Sequence, residues 1–354
     1  MSHAAELQNH VKTLRMTRGW SQAELARRAG ISRAAVSAIE ISRLVPSVAA
    51  ALSLASALGC RVDALFALDG ANGVAPVWAW PPAAEPCRYW EAEIDGRTLL
   101  YPVESSGLGV IGHDGIFQNG ALEPGSQTIP SQTLVMASCD PAAALLAAEL
   151  ARNTGYRLLV LPRSSSEALR LLGSKLVHVA GVHLAKVGQK QGNAAAVKSR
   201  LGKGFSLLRV ARWQEGLALA PGLGIKSVSA ALRRKNLRWI GRDAGSGARQ
   251  CLDELLANRE KPRREARDHR GVAEAIRCGW ADAGVCVRLV SEEAGLEFLT
   301  VRDETYDLCF AAEVADDPRI AALIEAVRSD SYRRLLGELP GYDTTHAGEL
   351  ETIT

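Results

Sequence analysis

Residues 237–255, LRWIGRDAGSGARQCLDEL, place Gly245, Ser246 and Gly247 in a turn between an apolar, strand-like run and a helix from about Ala248. A glycine-rich turn that opens a helix aims free backbone N–H groups at whatever lies in front of it, and this suits an anion. The nucleotide-binding versions of such a loop are excluded. A GxxxxGK[ST] loop needs a lysine that does not follow Gly245 or Gly247 at that spacing, and GSGARQ lacks the third glycine of GxGxxG. Neither GxSxG nor HExxH occurs. Cys139 beside Asp140 offers a thiol at a helix start, the place for a nucleophile, yet no matching base stands near it in the sequence. Binding, not catalysis, is the expected chemistry, with no catalytic residue and no resident cofactor.

The elements that must hold this turn alternate from Thr133 onward. TLVMAS is followed by a helix from Pro141 to Asn153, RLLVLP by a helix from Ser166, and KLVHVAGVHL, FSLLRVARW and GLALAP by a helix from Ser227. After LRWIG come the helix behind Gly247, another from Val272, and the strands ADAGVCV, LEFLTV and YDLCFAAEV. This rhythm implies a mainly parallel sheet covered on both faces and divided into two lobes, with ligands at the carboxyl ends of the strands.

The first 68 residues are different. They carry eight Lys or Arg against four acids, so the excess positive charge of a chain with net charge +3 sits there, where a nucleic acid is the natural partner. Leu7, Val11 and Leu14 mark a first helix closed by Gly19. Ser21 with Glu24 forms a capping box, Gly30 ends the second helix and Ser32 caps a third to Glu40. Pro46 and Ser47 start a fourth, and Val62 to Phe66 a fifth. The segment SQAELARRAGISRAAVSAIEISRLVPSVAAALSLASALG resembles the helix-turn-helix of the phage-repressor-like XRE family of transcription regulators. The resemblance implies that Ser32 to Glu40 is the recognition helix, that Arg33, Ala34 and Ser37 meet base edges, and that Gln22 and Arg43 hold the DNA backbone. It also implies a structural pair between Arg15 and Glu40. EISR stands where the family has E-x-G-x.

Residues 69–87, rich in Gly, Ala and Pro, read as a linker whose Trp78 and Trp80 pack against something, and residues 88–131 as a small β-rich connecting segment with a hairpin at Asp95-Gly96 and short strands near Val110 and Ile116. Seven scattered cysteines without a CxxC pair argue against a disulfide framework and against a metal site. No apolar run reaches the roughly 18 to 20 residues of a membrane span, and no secretory signal is visible, so a cytoplasmic protein without membrane contact is expected. The run 259–270 reads as a solvated loop.

A second resemblance rests on VMASCDPAAALL, SSSEALRLLGSKLVHVAGVHL, GLALAPG, GRDAGSGARQCLDELL, HRGVAEAIRCGWADAGVCV and LEFLTVRDETYDL, taken in that order. From about Leu134 the chain is similar to cytoplasmic periplasmic-binding-protein-like domains related to molybdate-binding proteins. The resemblance implies a type II two-lobed clamshell with crossovers near Leu184 to Phe205 and Val287 to Leu299. Ser138, Cys139, Ser164 and Ser165 would face the ligand from one lobe, and Arg242, Ser246, Gly247 and Arg249 from the other. Asp140, His183, Asp282 and Tyr306 are further ligand candidates, with Glu304 beside Tyr306 in the return crossover. Where the family turn commonly reads Asn-Arg-x-x-Gly-Ser-Gly-Thr-Arg, this chain has Gly241 for the Asn and Ala248 for the Thr.

The expected architecture is therefore multidomain. An all-α helix-turn-helix domain (1–68), the linker, the β-rich insert, an α/β two-lobed type II binding-protein-like domain (132–340) and a C-terminal tail (341–354) follow one another. The expected function is a ligand-responsive regulator that binds double-stranded operator DNA as a homodimer or higher homo-oligomer. Its effector is a molybdate- or tungstate-type oxyanion, or alternatively an organic acid or molybdopterin-related metabolite. An enzyme acting on a small metabolite through Cys139 is the third reading.

Overall fold

The computed structural model describes residues 7–60, 62–68, 76–104, 112–125, 129–184, 192–257 and 259–354. The chain divides into two compact units, Met1–Pro76 and Val77–Thr354.

In the first unit a short strand β1 (Leu7–Asn9) precedes α1 (Val11–Thr17), α2 (Gln22–Ala29), α3 (Arg33–Glu40), α4 (Val48–Leu58) and α5 (Val62–Leu65), and β2 (Phe66–Leu68) pairs back onto β1. Sequence placed the first helix from Leu7 and foresaw no strand. Residues 7–9 and 66–68 instead pair in a three-residue antiparallel ladder, too short to show alternation. The helix starts are where the serines put them: the hydroxyls of Ser21, Ser32 and Ser47 accept from the N–H three residues on, at 3.1, 3.0 and 3.2 Å. Each such cap contributes about 1 kcal/mol. Gly30 and Gly59 end α2 and α4 in the left-handed region, at φ 67° and 57°. Val11, Leu25, Val36, Ile39, Leu54, Leu58 and Leu65 form the core. Ser42, at the family's glycine position, adopts φ 57°, and its hydroxyl accepts from Asn9 Nδ2 at 2.8 Å.

The second unit begins with a five-stranded sheet of β3 (Val77–Trp78), β4 (Cys87–Ile94), β5 (Arg97–Pro102), β6 (Gly115–Gln118) and β7 (Ala121–Pro124), in the order β3-β5-β4-β6-β7. Asp95 and Gly96 both take positive φ and join β4 to β5 as the sequence anticipated. Val110 and residues 69–75 of the anticipated linker lie outside the described residues. Trp78 packs edge-on against Tyr89 and Phe117, and Trp80 against Tyr101. The sheet is not a free-standing bridge: Trp90, Ala92, Ile94, Leu99 and Tyr101 share a core with Val135, Ala137, Leu159 and Leu161 of the large sheet and with Ala168 of the helix after Ser164. Arg157 clamps Asp114 with Nη1 and Nη2 at 2.7 and 2.6 Å, fixing this wall in place.

The remainder runs through β8 (Thr133–Ser138), α6 (Ala143–Thr154), β9 (Arg157–Pro162), α7 (Ser165–Gly173), β10 (Val179–Val182), α8 (Gly192–Leu201), β11 (Phe205–Leu219), α9 (Val228–Arg233), β12 (Trp239–Arg242) and α10 (Gly247–Leu255). It continues with β13 (Glu265–Ala266), α11 (His269–Arg277), β14 (Ala283–Val287), α12 (Arg288–Glu293), β15 (Glu297–Ala311), α13 (Pro318–Arg328), α14 (Asp330–Gly337), β16 (Tyr342–Asp343) and β17 (Leu350–Ile353). The large sheet has the order β13-β12-β14-β11-β15-β10-β8-β9. Taken from either end, it begins with three parallel strands, then one antiparallel strand, then the strand that leads to the other end. Each end is one lobe, and β11 and β15 are common to both.

These two strands, each of 15 residues, pair antiparallel from Phe205↔Ala311 to Leu219↔Glu297, with register shifts at Arg209/Ala211 and Glu215/Gly216. The crossovers therefore lie inside the middle of β11 and β15, not in the segments 184–205 and 287–299 where sequence placed them. Residues 185–191 of the first of those segments lie outside the described residues. The expected C-terminal tail is also built in, since β16 and β17 both pair with β11. The run 259–270 is structured at its end: β13 extends the sheet and Asp268 Oδ1 caps α11 by accepting from Gly271 N at 2.7 Å.

Candidate functional site

The carboxyl ends of β8, β10 and β12 and the middles of β11 and β15 converge on one buried cluster. Its floor is Trp213 from β11, fully buried, with Tyr306 from β15 lying flat on it at 4.7 Å and 13°. His183, just past β10, and Tyr342, the first residue of β16, meet the same indole edge-on. Tyr306 Oη lies 2.6 Å from Ser138 Oγ, and Gly181 leaves the room: a Cβ there would stand 2.6 Å from both oxygens.

His183 is wholly buried and joined on both sides. Its Nδ1 lies 2.9 Å from Glu304 Oε2, and its Nε2 lies 2.9 Å from Cys139 Sγ. A carboxylate accepts, so Nδ1 carries a proton towards Glu304, and Nε2 faces the sulfur. Burial alone would push this imidazole down; Cys139 and Glu304 outweigh it and hold it well above the usual histidine value. Ser165 Oγ accepts from the His183 N–H at 3.1 Å and fixes the backbone. Arg302 of β15 lies between two carboxylates, 2.8 Å from Glu215 and 2.5 Å from Glu304. Burial pushes Glu215 up to about 8, assisted by the charge of Glu304, so Glu215 holds a proton while Glu304 stays ionised against His183 and Arg302.

From the other lobe, Arg242 ends β12 with no exposed surface. Its Nη1 lies 3.2 Å from His269 Nδ1. A guanidinium only donates, so His269 Nδ1 accepts and the ring proton is on Nε2. Burial, with the charge of Arg242, drives His269 well below the usual value and keeps it neutral. Among the described residues, two donors in this pair are buried without a partner, Arg242 Nε and His269 Nε2. Cys139 Sγ and one ring nitrogen each of His183 and His269 lie within 4.8 Å of one another. The residue types would suit a soft metal ion, but the lone pair of His269 Nδ1 is taken by Arg242 while its Nε2 carries the proton, and a cation would stand against Arg242. The grouping of His183, Glu215 and Glu304 already has its cation in Arg302. The cluster fits a ligand that accepts hydrogen bonds.

The lobes touch here. Ser166 N donates to the Gly245 carbonyl at 3.4 Å across the cleft. A Cβ on Gly247 would fall 2.5 Å from the His183 carbonyl oxygen, so only glycine allows this approach. Gly245 has φ 85°. Ser246 Oγ caps α10 by accepting from Arg249 N at 3.1 Å and donates to the Asp243 carbonyl. Arg302 Nη2 donates to the Gly247 carbonyl at 3.1 Å, tying the turn to the crossover strand.

The structure thus gathers Ser138, Cys139, Ser165, His183, Arg242, Gly247 and Tyr306. Ser164 is buried at the start of α7, level with Gly245. Asp140 is buried too, but its Oδ1 accepts from Ala142 N at 2.9 Å and Tyr342 Oη at 2.7 Å, which makes it a turn-forming group. Two residues were misassigned. Arg249 turns away from the opposite lobe, its Nε 3.0 Å from Asp253 and its Nη1 bonded to Glu265 and the Arg242 carbonyl. Asp282 pairs with Arg238 at 2.6 Å at the amino ends of β12 and β14, the far end of the sheet from the cleft. Trp213, Glu215, His269, Arg302 and Tyr342 were missed. A charge inside an apolar strand run, as in RWQEGLALA and FLTVRDETY, was the available signal for Glu215 and Arg302.

In the helix-turn-helix unit Arg33 and Ala34 are exposed at the start of α3, Ser37 is half-buried on the next turn, and Arg43 is exposed beyond it. Ser32 is spent as the cap. Gln22 is half-buried: its Nε2 donates to Glu40 Oε2 at 2.8 Å, buttressing the Arg15–Glu40 pair at 2.6 Å.

A small helical unit whose third helix opens on the exposed Arg33, joined to a two-lobed cleft domain, defines the class. The description PBP superfamily domain matches residues 147–328, more than half of the chain, and the description helix-turn-helix matches residues 11–65. The chain belongs to the PBP superfamily and carries an XRE-type helix-turn-helix domain in front of that fold. Over 182 residues it is 29% identical to an uncharacterized protein, YvgK, of Bacillus subtilis (strain 168), a match covering 49% of this chain and 58% of that protein. Over 66 residues, 19% of this chain and all of the relative, it is 36% identical to an uncharacterized HTH-type transcriptional regulator, YgzD, of the same organism. Similar solved structures include PhnD1 from Prochlorococcus marinus (MIT 9301) in complex with methylphosphonate, at 15% identity and TM-score 0.43 over 63% of this chain and 93% of that one. The tungstate ABC transporter structure from Geobacter sulfurreducens is similar at 17% identity and TM-score 0.44, over 58% and 98%. No helix among the described residues is long and apolar enough to cross a membrane.

Proposed function

We propose that this chain is a ligand-responsive transcription regulator. The helix-turn-helix unit binds operator DNA as a dimer on a two-fold site, and closure of the cleft domain on a small anion shifts that affinity. One observation carries the reading: Arg242 Nε and His269 Nε2 are buried donors without acceptors, at the contact between two lobes. An unmet buried donor costs about 1–3 kcal/mol. A ligand that accepts from both recovers that cost only when the lobes are shut, so it favours the closed arrangement. Such a ligand acts on DNA binding to the extent that the two arrangements differ in operator affinity.

A molybdate- or tungstate-type oxyanion is the first choice for the effector. It offers acceptors in several directions to the guanidinium, the imidazole and the N-terminal turn of α10. The second is an organic acid, including a molybdopterin-related metabolite, and the stacked Trp213 and Tyr306 favour it because they offer an apolar wall to a carbon skeleton. Recognition, not turnover, is the proposed work of the cleft, inside the cell where the operator is.

The test joins two measurements on the full chain. Retardation of a palindromic fragment from its own promoter region is measured at low salt with and without ligand, and melting temperature is followed across molybdate, tungstate, sulfate and small carboxylates. A melting rise lost in Arg242→Gln, accompanied by a change in retardation, supports the reading. Absence of retardation under every condition sinks it, and no response to any anion removes the effector assignment.

A further inference from the structure

We propose that Cys139, His183 and Glu304 form a nucleophilic relay, and that the cleft captures a small 2-oxo acid by reversible addition of the Cys139 thiol to its carbonyl carbon. The inference rests on the organic-acid form of the regulator reading and names the chemical class of the acid. Among the described residues seven cysteines are free, and this one alone among them has an imidazole at hydrogen-bond distance.

Three groups are in line: Glu304 Oε2, His183 Nδ1 to Nε2, and Cys139 Sγ, with 2.9 Å at each step. The pattern is that of a nucleophile, an imidazole that carries its proton, and a carboxylate that orients the imidazole. Trp213 Nε1 lies 3.4 Å from the same Glu304 oxygen and Arg302 is 2.5 Å from the other, so the carboxylate has no freedom to turn. A relay by itself names no ligand. The second observation does: the His269–Arg242 pair of the same cluster holds, among the described residues, the unpartnered donors Nε2–H and Nε–H, in residues with 1% and 0% exposure. They suit a carboxylate, and a ring nitrogen of His269 lies within 4.8 Å of the thiol sulfur, within one small molecule of where the carbonyl would be attacked.

The step balances without an oxidant or a leaving group. With the proton shared by Cys139 and His183 resting on Nε2, the sulfur lone pair forms a C–S bond, and the carbonyl π bond opens to an alkoxide. His183 returns the proton to that oxygen, which leaves a hemithioacetal or hemithioketal. Glu304 is a positioning residue, since it touches neither sulfur nor ligand and acts by holding the imidazole.

Glyoxylate labelled with ¹³C at its aldehyde carbon is the probe, added to the full chain and followed by NMR together with melting temperature. The expected result is a new resonance of a bound tetrahedral carbon, one per chain. It persists in the triple variant Cys60→Ser, Cys87→Ser, Cys278→Ser and vanishes in both Cys139→Ser and Cys139→Ala. Glu304→Gln is expected to weaken adduct formation at least tenfold near neutral pH and to displace its pH profile, which a merely structural loss would not do. A melting rise with glyoxylate but no such resonance overturns the covalent step while the anion-sensing reading stands. A resonance retained in Cys139→Ser overturns the assignment of the nucleophile. Response to molybdate alone, with none to glyoxylate, overturns the 2-oxo acid and leaves the regulator reading intact.

Discussion

Ser166 and Gly245 meet across the cleft, the N–H of one 3.4 Å from the carbonyl of the other. They belong to different lobes, and their contact makes this a shut clamshell hinged in the middle of β11 and β15. Everything in the cluster follows from closure: His183 comes down on one lobe and Gly247 comes up on the other.

Closure therefore has a steric gate at Gly247. A Cβ there would lie 2.5 Å from the His183 carbonyl oxygen and 2.6 Å from Nδ1, and the backbone at His183 is tied down by its N–H bond to Ser165 Oγ. Gly247→Ala should keep each lobe folded and prevent their approach, at an overpacking cost of about 1–3 kcal/mol to the shut form. Calorimetry should register anion affinity at least tenfold weaker, with far-UV circular dichroism unchanged. Unaltered affinity would mean that the ligand does not require this approach.

The pair between Arg15 and Glu40 should decide whether the DNA-binding unit folds. Glu40 sits in the core at 2.6 Å from Arg15, its carboxyl held low by Arg15 and Gln22 against the upward push of burial. Removing one partner of a buried pair strands the other and costs about 3–5 kcal/mol, a large part of what a unit of this size possesses. Glu40→Ala should melt the first unit early and abolish operator retardation. Arg15→Met with Glu40→Leu should restore the melting transition. Equal melting of Glu40→Ala and wild type would show the pair to be dispensable.

Arg33 gives the opposite combination. It is exposed at the first position of α3 and pairs with no acid among the described residues, so Arg33→Ala should change stability by less than about 0.5 kcal/mol. If its guanidinium reads a guanine edge, the substitution costs about 1–3 kcal/mol of discrimination between operator and competitor DNA. Competition retardation reads that ratio directly; an unchanged ratio would remove Arg33 from base recognition.

Local rules were enough for part of this molecule. Ser21, Ser32 and Ser47 announce helix starts because a cap is a contact within three residues, and GSG announces its turn because glycine's freedom is local. The strand-to-turn rhythm puts Arg242 and Cys139 at strand ends, and the family resemblance turns them towards the cleft. What brings Tyr342 to Asp140, or Glu304 to His183, is sheet order across 202 and 121 residues, which no spacing encodes. The crossovers were misplaced for the same reason: 15-residue strands that serve two lobes look from sequence like two strands each. His269 was read as part of a charged loop, although Asp268 is a helix cap and the apolar stripe behind it begins at Val272.

His178 predicts an acid limit on stability. Its Nδ1 accepts from Val135 N at 2.9 Å and its Nε2 donates to the Glu93 carbonyl at 3.0 Å, so the neutral ring bolts β4 to β8. Burial and the charge of Arg319 lower it to about 4. An unfolded histidine takes up its proton near pH 6.5, whereas the folded one resists until about 4. Between those values the unfolded state binds more protons, so the contribution is complete above pH 6.5 and disappears as pH falls towards 4. It amounts to about 3 kcal/mol at 1.36 kcal/mol per unit. His183, held high, works in the reverse sense, and the wild-type curve alone would mix the two. The difference between wild type and His178→Asn isolates the term: denaturant unfolding at pH 7 and pH 4.5 should show wild type losing more stability than the variant over that interval. Parallel losses in the two proteins would mean that His178 is already charged in the folded state.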